Sequence, residues 1–126
     1  MTSCLDAWAV MAWLEGHARA ATRVEALLGE RPIMSWINLG EVYYVVRRRV
    51  GEREADETVR DLRPMLDLDL PTTERVLSAA SLKAEHPIAY ADAFAVATAI
   101  ARGATLVTGD PELLDAELDV DIEDIR

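Results

Sequence analysis

Four acidic residues stand where folded α/β chains gather ligands: Asp6, Glu41, Asp92 and Asp110. Each falls at the end of an expected strand or near the start of an expected helix, and in open parallel sheets those places converge on one crevice. Four carboxylates meeting in a partly dry pocket raise one another's pKa and need a compensating cation. A hard divalent ion with oxygen ligands, Mg²⁺ or Mn²⁺, meets that need. The chemistry such a site suits is phosphodiester hydrolysis, in which the metal acidifies a water, aligns it and stabilises the charge that grows on the phosphate. On this reading Asp6 and Asp92 ligate the ion, Asp110 holds a second ion or a water on it, and Glu41 positions or helps deprotonate the attacking water. One ion, or two about 3.5–4 Å apart, fit the residues equally well.

Each acid also suits a purely structural use. Asp6 and Asp110 stand where a helix N-cap is wanted, and Asp110-Pro111 is the favoured cap plus first-turn proline. Asp92 can complement a helix dipole, and Glu41 can reach back to the backbone of Asn38 as a capping-box partner. Glu41 resists that reading most, because its helical neighbours Ile37, Tyr44 and Val45 are bulky and mostly apolar, which takes its carboxylate off the open surface.

The elements that must position these acids alternate along the chain. Residues 2–5 read as a strand ending at Asp6, then Ala7–Glu15 as a helix with Val10, Trp13 and Leu14 on one face, broken by Gly16. A second helix over 17–28 turns Ala18, Ala21, Val24, Ala26 and Leu27 inward and stops at Gly29. Residues 32–36 form strand two. A long helix over 38–49, with Leu39, Val42, Tyr43, Val45 and Val46 facing the core, follows and ends at Gly51.

Residues 52–63 make a charged helix with a narrow apolar stripe, closed by Pro64. Residues 65–70 alternate apolar and acidic side chains, the pattern of an edge strand with one wet face. Pro71-Thr72-Thr73-Glu74 opens a helix carrying Val76, Leu77, Ala80 and Leu82 up to His86-Pro87. The stretch AYADAFAVATAIARGATLVTGDPE then gives an Ala-rich helix, a break at Gly103, the strand Thr105–Thr108 and a turn into another helix, and 120–125 form a weak last strand. Strands separated by helix-length segments imply an α/β fold, a mainly parallel sheet covered on both faces.

The chain has 126 residues, 51% of them hydrophobic, which suits one globular domain over 1–126. No basic leader precedes an apolar stretch, and the uncharged run 7–14 is far shorter than the roughly 20 residues that span a bilayer. We therefore expect a cytoplasmic protein with no membrane contact. Its single cysteine, Cys4, lies in the apolar opening strand and packs rather than reacts. A net charge of -10 opposes loose, promiscuous nucleic-acid binding but leaves a metal-centred site open. All of the 13 basic residues except Lys83 are arginine, which favours planar pairing with carboxylate or phosphate.

With these residues in view, the chain resembles PIN-domain proteins, specifically the VapC-type ribonuclease toxins of type II toxin–antitoxin modules. The likeness covers nearly the whole chain and is carried by CLDAWAVMAWLEG around Asp6, SWINLGEVYYVV around Glu41 and YADAFAVATAIARGATLVTGDPEL around Asp92 and Asp110. The resemblance implies a three-layer α/β/α sandwich, a Mg²⁺- or Mn²⁺-dependent endoribonuclease acting on RNA, a homodimer, and inhibition by a small VapB-like antitoxin. It places acids matching Asp6, Glu41, Asp92 and Asp110 at the metal site and adds Thr108 as a nearby hydroxyl. One departure shows: these toxins commonly carry a small hydroxyl residue just after the first aspartate, where this chain has Ala7 and Trp8.

Arg47, Arg48 and Arg49 form the dense basic cluster and are candidates for an RNA backbone contact; the alternative is that they end a helix favourably and pair with the acidic tail 112–124. Trp8, Trp13, Trp36, Tyr43 and Tyr44 suit core packing, or a groove for an antitoxin helix. His17 and His86 lack partners at metal spacing. Two rival functions stand beside the nuclease: phosphotransfer through an aspartyl-phosphate at Asp6, weakened by Trp8 where phosphatases of the haloacid dehalogenase type carry a second Asp, and a non-catalytic interaction module whose acids only cap helices.

Overall fold

The computed structural model describes residues 2–126. Its elements run β1 (Ser3–Leu5), α1 (Ala7–Glu15), α2 (Ala18–Leu28), β2 (Ile33–Ser35), α3 (Trp36–Val50), α4 (Glu52–Leu62), a 3₁₀ turn (Arg63–Met65), β3 (Asp67–Asp69), α5 (Thr73–Glu85), α6 (Tyr90–Ala101), β4 (Thr105–Thr108), α7 (Pro111–Leu114) and β5 (Ile122–Asp124). The five strands form one parallel sheet in the order β3-β2-β1-β4-β5. The order reverses direction between β1 and β4. Parallel sheets open a crevice beyond the carboxyl ends of the strands at such a point, because the two flanking connections leave on opposite faces.

The period-2 geometry of the strands divides the core into two layers. Leu5, Met34 and Val107 point to the side covered by α1, α2, α3 and α4, where Val10, Val24, Leu39, Val42 and Leu62 join them. Cys4, Ile33 and Leu106 point to the other side, against α6, with Ala79 of α5 and Leu113 of α7. The architecture is thus the expected α/β/α sandwich. Helix α6 is apolar nearly all round, with every residue from Asp92 to Ala99 buried, as a helix wedged between sheet and neighbour requires. Its alanines let it lie close to the strands.

Several local expectations are corrected. Helix α3 begins at Trp36 because the Ser35 hydroxyl caps it, accepting from the Ile37 N–H at 3.2 Å. Met65 belongs to the turn that Pro64 starts, so β3 is shorter than the alternating pattern suggested. Asp69 on that strand is buried, held by Arg75 at 2.9 Å and Arg102 at 3.2 Å, so the strand lacks the fully wet acidic face expected. In α1 the buried residues are Ala9, Val10 and Ala12, while Leu14 is exposed and Trp13 half-buried, its indole N–H donating to Glu25 of α2. Helix α2 buries Ala20, Val24, Leu27 and Leu28 and leaves Ala18 and Ala26 exposed. On α5 only Ala79 is fully buried, and Leu77 lies open to solvent.

Candidate active site

Asp6 leaves the end of β1 and becomes the N-cap of α1, one carboxylate oxygen accepting from the Ala9 N–H at 2.9 Å. Its other oxygen accepts the hydroxyl proton of Thr108 at the end of β4. Because β1 and β4 are adjacent, with Leu5 beside Val107, this bond crosses the switch point of the sheet. The Thr108 hydroxyl in turn accepts from the Asp110 N–H at 3.0 Å, and Asp110 caps α7 through the Glu112 N–H at 2.9 Å. One hydroxyl therefore fixes both aspartates that end the two central strands.

Glu41 comes from the second turn of α3. Its carboxylate accepts from the side-chain amide of Asn38 at 2.9 Å, and the same amide nitrogen donates to the Ala91 carbonyl at 3.0 Å. The capping-box contact expected with the Asn38 backbone is replaced by this side-chain bond. Asn38 is fully buried, and it ties Glu41 to the first turn of α6 beside Asp92. Its carbonyl oxygen is buried with no hydrogen-bond partner among the described residues. Glu112 of α7 also reaches the start of α6, accepting from the Ala89 N–H at 2.6 Å. Three helix starts and two strand ends are thereby pinned around one cleft.

The cleft holds about 350 Å³ and is lined on one side by Glu41, Asp92 and Asp110, on another by Ala7, Trp8, Met11 and Val45, and at its mouth by Glu15, His17 and Arg49. Trp8 is wedged so close to Gly109 that an added Cβ there would fall 2.2 Å from the indole ring. Any other residue at 109 would push the ring off the strand end that carries Asp110, so the glycine serves a close approach.

The electrostatics follow from burial first and from the acids' own charges second. Burial pushes the Asp6 carboxyl up to about 7 despite the bonds from Thr108 and Ala9, and the charges of Asp110 and Glu41 push the same way. Asp92 is raised to about 7, again chiefly by burial, then by Asp110, Glu41 and Asp6. Burial raises Glu41 too, with Asp110 adding to it and Asn38 opposing. The Asp110 charge thus acts on all three of the others. Among the described residues no group of three His, Cys, Asp or Glu side chains is drawn tightly enough to hold an ion as they stand. The donor set nevertheless fits a hard divalent cation: the ligands are carboxylate oxygens, and they lack a compensating positive charge.

A model of the PIN domain matches residues 3–117. The chain belongs to the PIN-domain family. No curated protein matches it in sequence. Among solved structures, this PIN domain is similar to DNA-bound VapBC from Salmonella typhimurium (19% identity, 100% of this chain and 99% of that one, TM-score 0.80). It is likewise similar to VapBC2 from Rickettsia felis bound to a DNA fragment from its promoter (20%, 98% and 98%, 0.78). A third is VapC20 from Mycobacterium tuberculosis, a sarcin-ricin loop cleaving toxin (19%, 90% and 94%, 0.75).

The PIN fold thus brings Asp6, Glu41, Asp92 and Asp110 to one place and distributes the other candidates differently. Thr108 is fully buried and engaged by both aspartates, so it orients acids rather than facing an RNA. Arg47 donates to the Tyr43 hydroxyl at 3.3 Å and lies 3.6 Å from Glu52, and Arg48 stacks over Tyr44 at 5.0 Å. Only Arg49 of the three lines the cleft, paired at 2.5 Å with Glu15. None of these pairs involves the acidic tail, whose Glu123 binds Arg23 instead. Cys4 is buried, its thiol pushed up to about 12 by desolvation, and packs as expected. The sequence reading missed Asn38, Glu15 and His17 as parts of the site. Asn38, three residues before Glu41 on one helical face, carried the one usable signal.

Proposed function

We propose that this PIN domain is a divalent-ion-dependent endoribonuclease, the toxin of a type II toxin–antitoxin pair. The observation that carries the reading is the convergence of four carboxylates at the sheet's switch point: Glu41, Asp92 and Asp110 line one cleft, Asp6 is buried close enough to feel Glu41 and Asp110, and three of the four are raised in pKa. Asp6, Asp92 and Asp110 hold the ion, Mg²⁺ or Mn²⁺, which when bound acidifies the attacking water and offsets the charge that grows on the phosphate. Glu41, half-buried and oriented by Asn38, accepts the proton that the water loses as its oxygen bonds to phosphorus and the bridging P–O bond breaks. Burial makes Glu41 a stronger base than a surface glutamate. Ala9 and Thr108 fix the Asp6 carboxylate through one oxygen each.

Likeness in fold to VapBC complexes supports a VapB-like antitoxin as partner; the assembled state in this reading is a homodimer. Among the described residues no helix is long and apolar enough to cross a membrane; the place of action in this reading is the cytoplasm. Phosphotransfer through Asp6 is disfavoured, because Trp8 stands where phosphatases of the haloacid dehalogenase type carry a second Asp. The interaction-module reading explains Asp6 and Asp110, which do cap helices, but not Asp92 or Glu41, which cap none.

The test is RNA cleavage with Mg²⁺ or Mn²⁺ by the wild type and by Asp6→Ala and Asp92→Ala. The expected result is cleavage that needs the ion and is lost in both variants; activity that survives both overturns the assigned roles.

A further inference from the structure

Arg49 lines the same cleft as Glu41, Asp92 and Asp110, and among the described residues it is the only lysine or arginine that does. Three acids in one cleft attract a guanidinium, yet Arg49 is held by a fourth at the rim. It donates to Glu15 at the end of α1, at 2.5 Å. The other oxygen of Glu15 engages His17 at 2.8 Å, so the carboxylate is fixed between two partners. These bonds hold the Glu15 carboxyl below its ordinary value, the His17 bond most of all and the Arg49 bond after it. Glu15 and Arg49 are 34 residues apart and join the ends of α1 and α3 across the mouth of the cleft.

The position has two consequences. A guanidinium tied to the rim does not neutralise the acids, so they stay available to a divalent ion. The same guanidinium, largely exposed, stands where a polyanion enters a molecule of net charge -10. Arg47 and Arg48 are engaged away from the cleft, by Glu52 with Tyr43 and by Tyr44 respectively. Arginine matches a phosphate as well as a carboxylate, through the same planar fork of N–H donors.

Resting on the nuclease reading, we propose that Arg49 is the phosphate-binding residue of the cleft, with Glu15 its keeper: a phosphate of a single-stranded RNA displaces the Glu15 carboxylate and takes the guanidinium. Glu15 thus competes with substrate for Arg49 and sets how tightly RNA is held.

The test is a mutant cycle on the full chain, read by fluorescence anisotropy with an end-labelled, mixed-sequence 12-nucleotide RNA in Ca²⁺ across a salt series. Arg49→Gln should weaken binding about five- to tenfold, the loss of one charge-assisted contact. It should also lower the salt slope by about 0.7, one phosphate fewer on a single strand. Glu15→Gln should tighten binding about two- to fivefold, the range an exposed ion pair commands. The double variant should match Arg49→Gln, and Arg48→Gln should match the wild type.

Equal effects of Arg48→Gln and Arg49→Gln, or a Glu15→Gln effect that persists in the double variant, overturn the proposal. Mn²⁺ affinity and RNA cleavage, measured in parallel, keep the two readings apart. A cleaving wild type with no Arg49 effect sinks only the phosphate site, whereas a coupled cycle in a chain that cuts nothing sinks only the nuclease. A wild type that binds no RNA overturns both.

Discussion

Two groups of acids sit on this one sheet and are treated in opposite ways. At the β3 edge, Asp67 and Asp69 face Arg102 at 2.6 and 3.2 Å, and Asp69 also pairs with Arg75 at 2.9 Å. Every charge there has an answer from α5 or the end of α6. At the switch point between β1 and β4, Asp6, Glu41 and Asp110 collect hydrogen bonds from Ala9, Thr108, Asn38 and Glu112, none of the four acids there pairs with an arginine or lysine among the described residues, and three of them are raised in pKa. The first group closes a fold. The second leaves raised carboxylates without a basic partner, which is costly for stability and marks a functional site.

The largest expected effect is on catalysis. Asp92→Ala should lower RNA cleavage at least about a thousandfold, whereas Asp69→Ala should leave it within about threefold once adjusted for folded protein. Single-turnover rates with Mn²⁺ check this, and equal losses in the two variants would erase the contrast.

Next comes stability, where the two groups should respond with opposite signs. Asp69→Asn strips two arginines of a buried partner and should cost about 2 kcal/mol, roughly 6–10 °C in Tm. Asp92→Asn should instead raise the Tm of metal-free protein at pH 8 by several degrees. The sign follows from linkage: a carboxyl raised in the folded state contributes stability below its unfolded pKa near ~4 and loses it as pH rises through about 7. Metal-free wild type should therefore melt at lower temperature at pH 8 than at pH 5, and less steeply so in Asp92→Asn. Calorimetric melts across that range decide it.

The smallest effect sharpens the positioning of Glu41. Asn38→Ala removes the amide that holds both Glu41 and the Ala91 carbonyl, and should lower kcat about tenfold with KM little changed. An effect on KM alone would assign Asn38 to binding instead.

What the sequence disclosed follows the range of the interactions involved. Strands, breaks and the Ala-rich helix were legible because β-branched runs, glycines and prolines act on their own neighbours. The parallel topology then followed from the alternation, and the topology is what gathers the four acids. The companions of those acids were not legible. Asn38 binds a carbonyl 53 residues away, Arg102 binds acids more than 30 residues upstream, and the Arg49–Glu15 pair forms only once α1 and α3 pack. The alternating acids of β3 looked solvated for the same reason: their arginines arrive from distant helices. Phase errors in α1 and α2 have a related cause, since small alanines set how closely a helix approaches its neighbour and so which flank is covered.

The most direct test of the central claim is calorimetric titration of Mn²⁺ into metal-free wild type, Asp92→Asn and Asp69→Asn at pH 7.5, with melting curves at each end point. The expected result is saturable binding with a rise in Tm for wild type and Asp69→Asn, about 2.7 kcal/mol of stabilisation at a hundredfold excess over Kd, and neither in Asp92→Asn. Heat and melting shifts that are absent from the wild type, or unchanged by Asp92→Asn, would contradict it.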